Sequence, residues 1–574
     1  MIDTSLPLGV CVFPEFGPNR ARTVSYPGYL EEILAHTGVF HQRVAMEQLQ
    51  SALASLKILV TVGEVELPEA LKRTLADWVT SGGAWISIAG VCGMEQTLGA
   101  AIQKADMWSW GGGAFKSLGE GYLINEKPEH PIVAHVTRMI HLFGGTTVTA
   151  TSGQVLARVD DKHGRKTDRA GIIENVAGKG RTILIAPDLT GTVVRIQQGL
   201  CVTRDGVPAP DGSGPVNDSV LKADDGCVLD WDFDRDAVPG MNNFRCYLEP
   251  MADVWREILL RSIFHVATQQ RVELPVLWLY PRQLPALAHM SHDTDGNEPP
   301  KAHRLIELLD EAKIKATWCV ILPGYEPAII NKIKSAGHEL ATHYDAMTEG
   351  TSFSQKEFNE QWRHLIEMFG EKPVTNKNHY TRWEGDTEFF EWCAARGIQM
   401  DQSKGASKTG EAGYNFGTCH LYFPVTFRGK PIDVLEMCLP TQDLHVFAPV
   451  ELFETLLATV KKHHGVFHQL YHPAHTSKPE VGESLLMVAR RAREEGMEWW
   501  TAKEINRWER ARRTVRVVRW EGGKLTLHAG ERLEDATVLM LSSKNGRKQM
   551  NAWGFSFDAV TQTIEAEKDV SVSF

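Results

Sequence analysis

The chain has 574 residues, room for three or four domains at ~150 residues each. Hydrophobic residues make up 43% and charged residues 23%, which suits a globular protein and excludes a disordered, collagen-like or coiled-coil chain. Lys and Arg number 61 against 72 Asp and Glu, a net charge of −11, so no general positive field is available to nucleic acid or anionic lipid and neither is an expected partner.

The nine cysteines are scattered, odd in number and free of any CxxC pair, a pattern that fits a reducing compartment better than a disulfide framework. Residues 1–7 carry an acid and a proline where a signal peptide needs a basic start and an apolar core. No run reaches the ~18 apolar residues of a membrane span. A cytoplasmic protein is expected, with a homo-oligomer left open.

In chain order, an apolar run at 8–13 and an amphipathic stretch at 29–36 open the sequence. A buried strand at 56–62 (LKILVTV), a helix at 68–80, the stop Ser81-Gly82-Gly83 and a strand at 84–89 (AWISIA) describe a βαβ unit on a parallel sheet. Trp108-Ser109-Trp110 followed by Gly111-Gly112-Gly113 reads as an aromatic loop, and a further strand lies at 181–186. An Asp-, Gly- and Pro-rich segment at about 202–243 reads as a loop or linker, and a helix is predicted at 251–266.

From about 272 to 508 strand and helix alternate. Strands are predicted at 286–291, 315–321, 338–343, 398–403, 432–437 and 466–471, and helices at 303–312, 328–335, 355–369, 387–395, 451–461 and 485–494. This repetition predicts a (β/α)7-type barrel, whose chemistry sits at the C-terminal strand ends. From about 510 the pattern changes to short alternating runs, a small antiparallel β domain. The expected class is therefore α/β. An N-terminal parallel-sheet domain (1–205) is followed by a linker and helix (206–271), the barrel (272–508) and a C-terminal β domain (509–574).

Four segments at or near predicted strand ends carry ionisable clusters: Ser291-His292-Asp293-Thr294-Asp295-Gly296, His338-Glu339-Leu340-Ala341-Thr342-His343-Tyr344-Asp345, Asn378-His379-Tyr380-Thr381-Arg382-Trp383, and His468-Gln469-Leu470-Tyr471-His472-Pro473-Ala474-His475. Each alone reads equally well as a turn, a cap or a packing residue. Together on one barrel face they supply oxygen and nitrogen ligands for a divalent metal and spare groups for proton transfer.

On these motifs, residues 285–500 resemble the polysaccharide deacetylase family of metal-dependent carbohydrate esterases, in a divergent branch with HDxD in place of TFDDG and with HYDA. The second motif matches at Gly337 to His343, but Met347 stands where the family has a second histidine, and Met is a poor ligand for a borderline divalent ion. Asp345 and His379 are the candidates to complete the set. The branch's NHxxxW companion motif, here His379 to Trp383, favours His379.

The resemblance implies a divalent metal, with zinc first and cobalt, manganese or nickel as alternatives, held by Asp295, His343 and His379. Asp293 would be the general base and His472 the general acid. Arg382 would hold a carboxylate or orient the base. Which of Asp293 and Asp295 is the ligand stays open. The implied activity is hydrolysis of a non-peptide C–N bond, by deacetylation of an N-acetylated sugar. The alternatives are an amidase acting on a small cyclic amide and a catalytically silent carbohydrate-binding protein. Region 1–205 resembles the class I glutamine amidotransferase-like fold. There Gly90-Val91-Cys92-Gly93-Met94 approaches a nucleophile elbow with its glycine one place early, which implies a structural or ligand-binding role.

Overall fold

The computed structural model describes residues 6–13, 24–103, 118–206, 220–241, 243–521, 524–541 and 549–574. The aromatic–glycine loop at 108–113, the first five residues and part of the Asp/Gly/Pro-rich segment (207–219) lie outside them. The chain divides into two compact units. One comprises Met1–Arg195, Val254–Gln283 and Ala511–Phe574; the other comprises Ile196–Asp253 and Leu284–Arg510.

In the first unit, the apolar runs Leu8–Val12, Ile58–Val62 and Ala84–Ile88 pair in parallel, and Gly180–Ile185 joins them beside Ala84–Ile88. Buried on both faces, they are mostly apolar without strict alternation, as parallel strands are. The sheet then turns antiparallel through Arg169–Ala177, Gln154–Asp161, Glu120–Asn125 and Ile140–Phe143. In the same unit Leu274–Leu277 pairs antiparallel with Leu533–Leu541, which continues to Phe555–Ile564 and Gln549–Ala552. A three-stranded sheet of Arg516–Glu521, Lys524–His528 and Asp569–Ser573 completes it.

The second unit is built on β1 (Leu287–Asp293), β2 (Thr317–Val320), β3 (Glu339–Tyr344), β4 (Thr375–Asn378), β5 (Met400–Asp401), β6 (Leu435–Glu436) and β7 (Val466–Leu470). All pair in parallel, in the order β6-β5-β4-β3-β2-β1-β7, and a short β8 (Glu498–Trp499) also pairs with β1. The seven strands form a parallel half-barrel sheet, and among the described residues no ladder joins β6 to β7. β5 and β6 are two residues each, and the stretch between them holds only a single turn of 3-10 helix at Thr409–Glu411. A lone bridge between Gln442 and Leu470 flanks β7 near the gap.

Helices return the chain between most strands, with ends set by ordinary chemistry. Pro299 and Pro300 open Pro299–Ala312, where a missing N–H costs nothing. Ser354 accepts a hydrogen bond from the Glu357 N–H to start Gln355–Phe369, and Gly370 at φ +70 closes that helix. Its buried Phe358, Leu365 and Phe369 face the core. The alternation of β1 has functional weight. Ala288 and Met290 pack into the apolar core toward the helices, while His289, Ser291 and Asp293 share the other face. No helix among the described residues is long and apolar enough to cross a membrane.

Candidate metal centre

The polar face of β1 ends in Asp293, and the chain continues to Asp295 two residues on. β3 contributes His343 next to its last residue, and β4 delivers Lys377 and then His379 on the turn that follows. His472 follows β7 and precedes the short helix Pro473–Thr476. These side chains come together at the C-terminal ends of the parallel strands. Ligand atoms of Asp295, His343 and His379 all lie within 4.8 Å of one another. His343 Nε2 is 3.4 Å from Asp295 Oδ1 and 3.8 Å from Asp293 Oδ2, and His379 Nε2 is 3.6 Å from Asp295 Oδ2.

Each histidine is oriented from behind. His343 Nδ1 lies 3.0 Å from the Lys377 carbonyl, an acceptor only, so Nδ1 donates to it and Nε2 faces the aspartates. His379 Nδ1 lies 2.9 Å from Asp345 Oδ1, which likewise turns Nε2 toward Asp295. A carbonyl or carboxylate on the far nitrogen is the support that metal-binding imidazoles carry. His343 Nε2 and Asp295 Oδ1 are buried atoms without a hydrogen-bond partner, a costly arrangement in the absence of a cation. Two imidazoles and a carboxylate suit a borderline ion such as zinc.

Asp345 thus stands behind His379, and its Oδ1 also accepts the Met347 N–H at 2.9 Å. With no cation bound, burial would lower the pKa of His379, but the hydrogen bonds and charges of Asp295 and Asp345 outweigh it and push the imidazole up to about 9. Burial would raise Asp295, yet His343, His379 and His472 hold it well below the carboxylate range. Binding a cation would displace the proton on His379.

Two groups flank the cluster. Asp293 is buried; burial would raise its pKa, but the charges of Lys377, His343 and His472 hold it below its ordinary value. Lys377 Nζ, itself buried, sits 3.5 Å from Asp293 Oδ1. His472 Nε2 is 3.9 Å from Asp293 Oδ2 and 3.7 Å from Asp295 Oδ2. Its Nδ1 is tightly bonded to Asp443 Oδ2, and its backbone N–H donates to Asp443 Oδ1 at 2.8 Å. Burial would lower the pKa of His472; Asp443 chiefly, with Asp293 and Asp295, pushes it up to about 9 instead.

Arg382 is not brought to this cluster. It pairs with Glu384, and the cation beside Asp293 is Lys377. Lys377 could have been suspected from its setting, a lysine between two asparagines just before His379. Asp443 sits in a loop with no local pattern to single it out.

The cluster opens into a cavity of about 330 Å³ whose lining includes Tyr380, Ser407, Thr409, Gln442, Val446 and His475. In the first unit Cys92 is fully buried with φ +57, and its Sγ lies 3.6 Å from the Gly63 carbonyl. Burial first and the Glu64 charge second push its thiol well above the ordinary range.

No protein-family model matches the sequence, and a search of curated proteins found no match. Similar solved structures include one named as a polysaccharide deacetylase from Mycobacterium smegmatis (16% identity, 42% of this chain and 96% of that chain, TM-score 0.32). Another so named, from Pseudomonas aeruginosa PAO1, shows 14% identity over 40% of this chain and 92% of that chain, with a TM-score of 0.31. A β-galactosidase from Bacillus circulans sp. alkalophilus shows 11% identity over 32% of this chain and 29% of that chain, with a TM-score of 0.24. Likeness at this level is compatible with many activities.

Proposed function

We propose that the chain is a metal-dependent hydrolase of non-peptide C–N bonds that removes the acetyl group from an N-acetylated sugar. The observation that carries this reading is the pair of rear-supported imidazoles whose Nε2 atoms converge with Asp295, between a buried carboxylate and a cationic imidazole. In it Asp295, His343 and His379 hold the ion, zinc by donor chemistry. When bound, such an ion supplies Lewis acidity toward an amide carbonyl and lowers the pKa of water.

The chain's own groups do the proton work. Asp293, kept ionised by Lys377, accepts the proton of the attacking water as general base. His472, kept protonated by Asp443, delivers a proton to the departing amine nitrogen as general acid. Thr381, Ser407, Thr409 and Gln442 offer hydroxyl and amide groups suited to sugar hydroxyls. For the first unit we infer a supporting rather than catalytic role, because the Cys92 thiol is buried and protonated.

The test is elemental analysis of the purified protein together with acetate release from N-acetylglucosamine and its oligomers, for the parent chain and His343→Ala. Bound metal and acetate release, both lost in the variant, are expected. A protein that binds no metal and gains no activity with added zinc, cobalt or manganese would overturn the reading.

A further inference from the structure

One residue of the β1 motif is not used by the metal cluster. His292 lies between Ser291 and Asp293, and the alternation of the strand puts it on the face of Ala288 and Met290, toward the helices. It is fully buried there, its ring 5.3 Å from that of Trp318. Packing alone does not call for a histidine at this place. Its Nε2 is a buried atom without a hydrogen-bond partner, a cost that an apolar side chain would avoid.

The other ring nitrogen makes one bond, and that bond reaches the chain beside His472. Pairing of β1 with β7 ends at Ser291 and Leu470, and the Tyr471 N–H donates to the Ser291 carbonyl at 3.1 Å. One atom further along, a side chain takes over from the main chain: His292 Nδ1 donates to the Tyr471 carbonyl at 2.7 Å. The Asp443 loop holds the same segment. The Asp443 N–H donates to the Leu470 carbonyl at 2.9 Å, and the His472 N–H donates to Asp443 Oδ1 at 2.8 Å. The peptide unit that joins Tyr471 to His472 therefore has its carbonyl bound by one side chain and its N–H by another, from two separate elements.

We propose that His292 is a positioning residue: by holding the Tyr471 carbonyl it fixes the His472 imidazole at the distance from Asp293 that the reaction needs. His292 adjoins Asp293 in the chain, so the strand that carries the base also sets the place of the acid, whose Nε2 stands 3.9 Å from Asp293 Oδ2. Without the bond the Tyr471 carbonyl is left buried and unpaired, and the segment bearing His472 is released on that side. A shift of about 1 Å in a reacting group lowers a rate by up to about a hundredfold. The inference rests on the hydrolase reading, in which His472 is the general acid.

The experiment uses the full chain with added zinc. It compares His292→Leu, which cannot donate, with His292→Asn, whose amide nitrogen can stand where Nδ1 stands. Amide hydrogen exchange over residues 471–476, read by mass spectrometry, should be about tenfold faster in His292→Leu and close to the parent rate in His292→Asn. In acetate release from N-acetylglucosamine, His292→Leu should lower kcat about thirtyfold with KM and metal content unchanged, and His292→Asn should recover all but about threefold. Combined with His472→Ala, His292→Leu should cost nothing further, because it acts through that imidazole.

Unchanged exchange in His292→Leu, equal losses in the two variants, a raised KM at unchanged kcat, or costs that multiply in the double variant overturn the proposal. If His292→Leu does not fold, His292→Gln, whose amide lies one carbon too far out, decides in its place. A parent chain that releases no acetate fails the hydrolase reading, and exchange alone then decides whether His292 holds His472. Acetate release by the parent with unchanged exchange in the variant leaves the hydrolase standing and removes only this inference.

Discussion

Replacing Asp443 by Asn keeps the shape of the side chain and removes the charge that holds a proton on His472. The imidazole is buried against Asp443 and raised from 6.5 to about 9. Without the carboxylate, burial pulls it back toward the ordinary 6.5 against the weaker charges of Asp293 and Asp295. At pH 7.5 the protonated fraction then falls from nearly all to about a tenth, so kcat/KM drops about tenfold and its alkaline limb moves down by roughly two units. Activity should recover as the assay pH is lowered toward 6, which a merely damaged site would not show.

The same shift enters stability. A histidine raised in the folded state contributes stability that is fully present below its unfolded pKa and is lost as pH rises through the folded one. The window is therefore about 6.5 to 9, and the contribution is about 3 kcal/mol. Urea titrations of metal-free protein across that window should show it in the parent chain and not in Asp443→Asn. An unmoved alkaline limb in the variant would refute the assignment of His472 as the acid.

Other expectations follow from the same geometry. Lys377→Met leaves Asp293 buried without its cation; stability should fall by about 3–5 kcal/mol in chemical denaturation, and the acid limb of kcat/KM should move to higher pH. Met347→Ala should keep the full metal content by elemental analysis whereas Asp295→Ala loses it, since the Met347 backbone, not its sulfur, engages the site through Asp345. Iodoacetamide on the native chain should label the exposed Cys201 and leave the buried Cys92 untouched until denaturant is added, as peptide mass spectrometry can read. In the first unit Arg513 makes a two-pronged, mostly buried pair with Glu32, at 2.6 and 2.8 Å, so Arg513→Ala should cost about 2 kcal/mol in urea unfolding.

Much of this molecule was legible in one dimension. Gln355–Phe369 forms over the span its periodicity predicts, and most buried strands of the parallel sheets lie within a few residues of predicted ones, while the polar β4 (Thr375–Asn378) has no apolar run to announce it. Period and turn chemistry act over neighbouring residues, and a single sequence displays them directly. The strand-end clusters were legible for the same reason, because a residue two past Asp293 on an extended chain keeps its face. The antiparallel half of the first sheet was not. Glu120–Asn125 and Ile140–Phe143 carry weak alternation, and their pairing is decided by partners elsewhere.

The sequence on its own therefore determined which residues could be acids, ligands or core, since those are properties of side chains and local spacing. Tertiary structure alone decided the partnerships: Lys377 rather than Arg382 beside Asp293, Asp443 behind His472, Asp345 behind His379, and Leu274–Leu277 in a sheet with strands some 260 residues further on. Each joins groups whose separation along the chain says nothing of their separation in space. A buried charge takes its partner from whatever the packed fold brings within a few ångströms.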